Sequence, residues 1–425
     1  VAFIGGFAKK PRFQGGGSSH INSFRVSGAL DAVSRMEEIS GNVTYAEGFA
    51  ADRDVYDETL AAEAVEAAKN ADKAVIFAGL PDSFESEGYD RAHMGLPQCQ
   101  NRLIAEILKV QPNTIVVLHN GSPVEMPWLA DVKGLLEAYL GGQAVGEAEV
   151  SLLYGKVNPS GKLAETIPLK LSDNPSYLNF GEGEKTVYHE GVFVGYRYYD
   201  TKEMPVAFPF GYGLSYTTFA YSNLKLDKDE LTEKDTLTVS VDVTNTGNVP
   251  GKEIVQLYVR DNSGACRRPD KELKGYEKAA LEPGETKTVT MTLDHRSFAW
   301  YNTDMKDWYS ASGTYDILIG ASSRDIRLTS AVQMKSSVKP PLKLHLNTTL
   351  GELLSDERTM EYGKYLADKM TSFFGGSSDE ANEAITDEMN TAMAASMPIR
   401  NVVSFGACSK EEVLEGLNKL IEAQK

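Results

Sequence analysis

The sequence predicts an α/β layer with a mostly parallel sheet, then a β-sandwich, then a helical C-terminal segment. Short apolar runs alternate with helical patterns in the first part of the chain, which favours a parallel sheet with helices on both faces. From about residue 235 the apolar residues recur at every second position, and after the proline-containing stretch "VKPPLK" (338–343) the helical spacing returns. We therefore expect three domains, at 1–218, 219–337 and 338–425.

Five apolar runs predict the strands of the first domain. They are "VAFI" (1–4), "VTYAEG" (43–48), "KAVIFAGL" (73–80), "TIVVLHNG" (114–121) and "KGLLEAYL" (133–140). Between them, helical apolar spacing occurs at 25–36, 57–70 and 97–110. Parallel sheets of this kind bind their ligands at the carboxyl ends of the strands, so a segment that directly follows a predicted strand is a candidate for function.

Period-two apolar spacing predicts the strands of the second domain. In "LTVSVDV" (237–243) the four apolar residues share one face, and similar runs follow at 254–259, 289–293 and 315–320. Turn signals separate these short strands, which is typical of a β-sandwich. In the third domain, residues Tyr362, Leu366 and Met370 form a helical stripe that we interpret as core packing.

The charge and the cysteine content exclude several classes of protein. The chain has 425 residues and a formal net charge of −17, whereas binding to nucleic acid or to an anionic membrane normally needs a basic face. Three cysteines without paired spacing favour neither a disulfide framework nor a zinc site, and indicate a reducing, cytoplasmic compartment. We expect no nucleic-acid partner and no membrane partner, and a homo-oligomer is left open.

The glycine-rich and histidine-containing motifs do not predict a cofactor. The glycines at 5–6 and 15–17 lack the spacing of a dinucleotide fingerprint, and "GKVNPSGK" (155–162) has one residue too many for a phosphate loop. The six histidines are scattered without metal-ligand spacing. We expect no cofactor and no metal ion.

One short segment concentrates negative charge. In "DSFESEGYDRAHM" (82–94) four carboxylates occur within nine residues, and the segment directly follows the predicted strand "KAVIFAGL". It therefore lies at the carboxyl edge of the sheet. A solvated acidic loop and a site in which one carboxyl keeps its proton are both open at this point.

Several stretches, taken together and in order, resemble the C-terminal part of glycoside hydrolase family 3 enzymes, over about residues 1–335. The stretches are "KKPRFQGGGSSHIN" (9–22), "NPSGKLAETIP" (158–168), "EGVFVGYRYYD" (190–200), "FPFGYGLSYTTF" (208–219), "VTNTGNVPGKEIVQLYV" (243–259) and "RPDKELKGYEK" (268–278). The last two resemble the family's fibronectin type III-like, immunoglobulin-like sandwich. The resemblance implies a retaining β-glycosidase, most simply a β-glucosidase that acts on a carbohydrate substrate.

The resemblance also implies a partner domain. In the family a TIM-like barrel carries the catalytic aspartate, commonly in a Ser-Asp-Trp context, and this chain contains neither that motif nor enough residues for a barrel. We therefore expect the chain to be the C-terminal portion of an enzyme. Its partner is the barrel domain of the same enzyme, and the isolated chain is expected to be inactive.

The motif "EGYDR" (87–91) matches the family loop that carries the general acid/base, which implies this role for Glu87. A retaining glycosidase needs one carboxyl that starts protonated, and burial or neighbouring negative charge raises a glutamate pKa. Glu85 is the main rival for the role, and Phe84 and His93 are candidates for lining the substrate.

Two supporting residues and two other functions complete the expectations. Arg91 is expected to pair with Asp90 and fix the loop. One alternative function is a non-catalytic carbohydrate- or partner-binding module, in which Trp300 and Trp308 could stack on sugars. The other is a β-xylosidase or arabinosidase of the same family.

Overall fold

The computed structural model describes residues 1–181, 183–374 and 387–423. Two compact units are present: the first comprises Val1–Ala299 and Ser310–Ser336, and the second comprises Trp300–Tyr309 and Ser337–Lys425. The part of the predicted helical extension from 375 to 386 lies outside the described residues.

The first unit begins with a five-stranded parallel sheet in the order β2–β1–β3–β4–β5, as the alternating pattern predicts. The strands are β1 (Ala2–Ile4), β2 (Thr44–Ala46), β3 (Ala74–Gly79), β4 (Thr114–His119) and β5 (Gly134–Glu137). Every residue of β3 is buried, because helices cover both faces of such a sheet and the strand reads as a continuous apolar run.

Five helices accompany this sheet. They are α1 (Ala29–Ser34), α2 (Glu37–Ser40), α3 (Glu58–Lys69), α4 (Gln98–Val110) and α5 (Val145–Leu153). The side chain of Asp57 caps α3 by accepting hydrogen bonds from the main-chain N–H groups of Thr59 and Leu60, so this helix begins where its sequence predicts. Leu103, Ile104 and Ile107 of α4 are fully buried, which confirms the apolar face predicted for 97–110.

Short elements connect the sheet to the sandwich: β6 (Ile167–Pro168), α6 (Tyr196–Thr201) and β7 (Val206–Phe208). The sandwich strands are β8 (Phe219–Leu226), β9 (Glu230–Leu231), β10 (Leu237–Asn245), β11 (Gly251–Asp261), β12 (Glu272–Leu281), β13 (Thr286–Leu293), β16 (Gly313–Gly320) and β17 (Ile326–Met334), with helix α7 (His295–Phe298) after β13. One sheet has the order β13–β10–β8 and the other β12–β11–β16–β17–β9. Leu237, Val239, Val241 and Val243 are fully buried, so the period-two face predicted for β10 forms the core.

The described part of the second unit contains a hairpin and five helices. The hairpin pairs β14 (Trp300–Asn302) with β15 (Asp307–Tyr309), and the helices are α8 (Leu350–Ser355), α9 (Met360–Phe374), α10 (Asp387–Ser396), α11 (Arg400–Ser404) and α12 (Lys410–Glu422). Leu366 and Met370 pack in a small core with Leu353 and Val413, as the stripe on α9 predicts. In the hairpin, Trp300 packs against Tyr309 and Trp308 against Tyr301, with ring centroids 5.0 and 5.7 Å apart.

Candidate functional site

The strand order places two loops of the first unit side by side. In this sheet β1 lies between β2 and β3, so the order in which successive strands are added reverses at β1 while all the strands stay parallel. The order 2-1-3-4-5 is that of other doubly wound sheets. Ligands of such sheets bind outside the carboxyl ends of the strands at this reversal. The loop after β1 contains Gly15–Ser18, and the loop after β3 contains the acidic segment 82–94. The candidate site is therefore the crevice between these two loops.

Arg12 joins the two loops. Its side chain is only 6% exposed; Nε lies 3.2 Å from Oδ1 of Asp82, and Nη1 lies 2.5 Å from Oε2 of Glu85. Nη2 also donates to the main-chain oxygen of Glu85, at 2.8 Å. One buried cation thus contacts two of the four carboxylates of the acidic segment.

Glu85 is bound from a second direction by the loop after β4. The main-chain N–H of Gly121 donates to Oε2 of Glu85 at 2.7 Å, and the hydroxyl of Ser122 donates to Oε1. Burial acts to raise the pKa of Glu85, but the hydrogen bonds from Ser122, Gly121 and Arg12 outweigh it, and the pKa is lowered. Glu85 is therefore an ionised anchor between three loops.

No local sequence pattern indicates this anchor. "HNGSP" (119–123) was expected to form a simple turn, yet His119 and Asn120 are fully buried and Gly121 and Ser122 bind Glu85. The signal that could have found it is adjacency: β3 and β4 are neighbours, so the loops at their carboxyl ends must meet.

The expected pairing of Arg91 with Asp90 is wrong. Nη1 of Arg91 donates instead to the Ser122 hydroxyl at 2.8 Å and to the main-chain oxygen of Pro123 at 3.0 Å. Asp90 is exposed. Arg91 supports the loop as predicted, but it does so by binding the loop after β4.

Glu87 lies on the exposed side of the crevice. The main-chain N–H of Ser18 lies 2.5 Å from Oε2 of Glu87, and the main-chain N–H of Glu87 lies 3.4 Å from the oxygen of Gly16. Hydrogen bonding from the Ser18 side chain and then from its main-chain N–H lowers the pKa of Glu87. The expectation that neighbouring carboxylates raise this pKa is not met in the described chain, where hydrogen bonding from Ser18 sets the direction of the shift.

Phe84 and His93, the other candidate site residues, contact each other. Their ring centroids lie 5.8 Å apart in an edge-to-face arrangement. Phe84 is half-buried and packs on the core of the α/β layer, whereas His93 is exposed. The structure thus brings together one residue from the beginning and one from the end of the acidic segment.

Three buried titratable groups lie behind the site, and the sequence did not single them out. Nε2 of His119 lies 3.1 Å from Oε1 of Glu149 on α5, and both side chains are at most 2% exposed. Burial lowers the pKa of His119 to about 4 and raises that of Glu149 to about 8, so burial favours the uncharged form of each group. Burial likewise raises the pKa of Glu137, at the end of β5, to about 8.

The crevice does not carry an evident metal site. Within 1–181, 183–374 and 387–423, no group of three or more His, Cys, Asp or Glu side chains is placed to hold a metal ion.

Among the same residues, no helix is both long and apolar enough to cross a membrane.

Comparison with known proteins decides the family. Residues 1–216 match the glycosyl hydrolase family 3 C-terminal domain, which is half of the chain, and residues 253–323 match a fibronectin type III-like domain. The chain belongs to glycosyl hydrolase family 3. This confirms the resemblance read from the ordered motifs.

The named relatives of this family 3 chain are glycosidases. It is 50% identical over 423 residues to thermostable beta-glucosidase B of Acetivibrio thermocellus, covering 99% of this chain and 55% of that protein. It is 45% identical over 341 residues to an exo-alpha-(1->6)-L-arabinopyranosidase of Bifidobacterium longum, covering 80% and 44%. The crystal structure of the family 3 beta-glucosidase of Bifidobacterium adolescentis superposes with a TM-score of 0.77 at 43% identity, covering 86% of this chain and 53% of that one. The family 3 chain thus spans about half the length of the relatives that it matches.

Proposed function

We propose that this chain is the C-terminal portion of a retaining β-glucosidase and that Glu87 is its general acid/base. The observation that supports this best is the contrast between the two glutamates of the acidic segment. Glu85 is held by Arg12, Ser122 and Gly121, so its carboxylate is committed to structure. Glu87 is exposed at the crevice where the strand order reverses, and a substrate can reach it there.

In the proposed mechanism, protonated Glu87 donates to the glycosidic oxygen while a carboxylate nucleophile of the partner barrel attacks the anomeric carbon. The carbon–oxygen bond breaks, its electron pair stays on the oxygen, and the leaving group departs as a neutral alcohol. The Glu87 carboxylate then removes a proton from water, which hydrolyses the glycosyl-enzyme.

The mechanism requires the barrel for the nucleophile and also for the pKa of Glu87. Hydrogen bonding from Ser18 lowers the pKa of Glu87 in this chain, which favours the carboxylate at neutral pH. Burial of Glu87 under a docked domain, together with the negative charge of a nucleophile close by, would raise its pKa and allow it to start as an acid. We propose that both effects come from the barrel.

Exposed apolar side chains support the presence of a docked domain. Ile21 and Phe24, on the loop that binds Glu87, are 68% and 103% exposed. Leu178, Phe180 and Tyr188, in the connection between sheet and sandwich, are 78%, 65% and 78% exposed. Such residues are typical of surfaces that another domain covers, and the relatives are about twice as long as this chain.

The domain assignment follows the same proposal. Residues 1–218 would carry the acid/base, 219–337 would form the fibronectin III-like sandwich, and 338–425 would be a helical extension. Phe84 and His93 would border the substrate where their rings pack together.

The experiment is to replace Glu87 with Ala in the full-length, barrel-containing protein, with Asp90→Ala as the matched control on the same loop. Hydrolysis of glucosides with poor leaving groups should fall by about 10²–10⁴-fold, since proton donation is lost. Aryl glucosides with activated leaving groups should be much less affected, and azide should restore turnover. Unchanged kinetics in Glu87→Ala would exclude Glu87. The 425-residue chain alone should not hydrolyse aryl glucosides.

The second candidate is an arabinopyranosidase. The supporting observation is the 45% identity to enzymes with that name over 80% of this chain. Comparing kcat/KM of the full-length protein for aryl β-glucoside and aryl α-L-arabinopyranoside distinguishes the two, because the ratio reports the difference in transition-state binding. Binding of oligosaccharide without any turnover would instead favour a non-catalytic module.

A further inference from the structure

The loop Gly15–Ser18 contacts the acidic loop through backbone that has no room for side chains. A Cβ atom on Gly17 would lie 2.4 Å from Cβ and 2.7 Å from Oε2 of Glu87. A Cβ atom on Gly16 would lie 2.7 Å from Oγ of Ser86. Gly17 also has φ +92°, a conformation that L-residues with side chains rarely adopt. Glycine is therefore required at 17 both by the turn and by the side chain of Glu87.

This turn brings Ser18 against the carboxylate of Glu87. The Ser18 N–H lies 2.5 Å from Oε2 of Glu87, and hydrogen bonding from the side chain and the main chain of Ser18 lowers the pKa of Glu87. Donors that point at a carboxylate stabilise the charged form more than the protonated form. The contact thus favours the state of Glu87 that exists after proton donation.

We infer that the Gly17–Ser18 turn is a positioning element for Glu87, which holds the carboxylate that forms when Glu87 gives its proton to the leaving group. The inference rests on the acid/base role proposed above, and it adds an oxyanion-type interaction supplied by the loop after β1. Held in this way, Glu87 is both oriented toward the crevice and made a stronger acid.

The charged groups of the two loops do not by themselves account for the lowered pKa of Glu87. The ionisable groups of the two loops include Arg12, His20, Asp82, Glu85, Asp90 and Arg91. Arg12 is paired with Asp82 and Glu85, Arg91 donates to Ser122, and His20 contacts Gln14. The shift of the Glu87 pKa comes from Ser18, so changing Ser18 should change it.

The first test uses the 425-residue chain. Carbon-13 NMR titration of labelled glutamate side chains, assigned with Glu87→Gln, measures the pKa of Glu87. We expect a pKa below the ordinary value in the parent chain, a rise toward that value in Ser18→Ala and in Gly17→Ala, and recovery in Ser18→Thr, which keeps the hydroxyl. Gly155→Ala is the control for backbone strain, because Gly155 has φ +67° and open space at its Cβ position. An unchanged Glu87 pKa in both Ser18→Ala and Gly17→Ala would overturn the inference.

The second test uses the full-length, barrel-containing protein. In Ser18→Ala, hydrolysis of poor leaving groups should slow while activated leaving groups are hydrolysed at the parent rate, and the basic limb of kcat/KM should move to higher pH. If the titration shifts but neither the leaving-group dependence nor the basic limb changes, the acid/base role of Glu87 fails, and the inference fails with it. If the titration does not shift while Glu87→Ala still abolishes hydrolysis of poor leaving groups, the inference alone fails.

Discussion

The guanidinium of Arg12 is bonded to Glu85 at both its side chain and its backbone, with Nη1 2.5 Å from Oε2 and Nη2 2.8 Å from the main-chain oxygen. This residue comes from the loop after β1, whereas Glu85 follows β3, so the contact sets the width of the crevice that contains Glu87. Because Arg12 is 6% and Glu85 16% exposed in their side chains, the pair is largely buried.

Replacing Arg12 with Met should destabilise the α/β layer by about 3 kcal/mol, since removal of one partner leaves a buried charge without its counter-ion. Asp82→Asn is the matched control: it breaks the other ion pair of Arg12, but the Asp82 side chain is 62% exposed, so the loss should be below about 1 kcal/mol. Hydrogen exchange of the β3 amides measures both changes. Equal effects of the two substitutions would contradict the structural role given to Arg12.

The anchor at Glu85 predicts a loss of stability in acid. The pKa of Glu85 is lowered in the folded chain, so the carboxylate contributes stability above the pKa of an unfolded glutamate, near 4.5, and the contribution disappears as pH falls through the folded pKa. Glu85→Gln should therefore be less stable than the parent chain at pH 7, and the difference should narrow as the pH falls below about 4.5. Urea titrations at several pH values measure the difference, and Asp90→Asn on the same loop should show a smaller one. If the stability difference between Glu85→Gln and the parent chain instead grew as the pH fell, Glu85 would not be an ionised anchor.

The pair of His119 and Glu149 predicts the opposite dependence at higher pH. The pKa of Glu149 is raised to about 8, so an unfolded glutamate loses its proton near 4.5 while the folded one keeps it. Stability is then lost as pH rises from about 4.5 to about 8, by at most about 1.4 kcal/mol per pH unit for one proton.

Glu149→Gln should remove this loss, because an amide has no proton to release. The stability of Glu149→Gln relative to the parent chain should therefore improve steadily between pH 5 and pH 8, as followed by thermal unfolding. Below pH 6.5 both proteins should share the loss that arises because His119, with its pKa lowered to about 4, stays uncharged in the folded chain while an unfolded histidine gains a proton. A relative stability that does not depend on pH would show that Glu149 is ionised in the fold.

The sequence predicted the elements and the candidate loop because both depend on local pattern. The buried run of β3 and the stripe on α4 are visible in periodicity, and Glu87 was placed at a strand end for that reason. The residues that bind the acidic loop were not predictable in the same way. Arg12 lies 70 residues from Asp82 in the sequence, and the two residues come together only because β1 and β3 are neighbours in the sheet. Ser18 binds Glu87 partly through its main-chain N–H, a donor that nearly every residue type has, so this contact has no distinct signature in the sequence.

The run "KGLLEAYL" illustrates a second limit of local pattern. It was predicted as a strand over 133–140, but β5 ends at Glu137, and Tyr139 adopts φ 49°. The N–H of Tyr139 donates to Oε1 of Glu137 at 3.0 Å, and its hydroxyl donates to Glu165 at 3.1 Å. A local bond to Glu137 and a longer-range bond to Glu165 thus accompany the end of the strand, against its own apolar pattern.

The contact of Gly146 with Gly28 gives a prediction that joins packing to the site. A Cβ atom on Gly146, in α5, would lie 2.2 Å from the carbonyl carbon and 2.3 Å from the oxygen of Gly28, which is the N-cap of α1. Gly146→Ala must therefore move α1 away from α5, at a cost of about 3 kcal/mol. Gly155→Ala, which has a positive φ but no close neighbour, should cost only about 1 kcal/mol. Chemical denaturation measures both costs.

Gly146→Ala should also act on Glu87, because Gly28 ends the loop that begins at β1 and contains Ser18. Displacement of that end should loosen the Ser18 contact, so the pKa of Glu87 should rise toward the ordinary value in Gly146→Ala and stay low in Gly155→Ala. The same NMR titration of glutamate side chains reports it. A chain that is destabilised by Gly146→Ala but keeps the low Glu87 pKa would show that the 15–18 turn is held in place without the contact between α1 and α5.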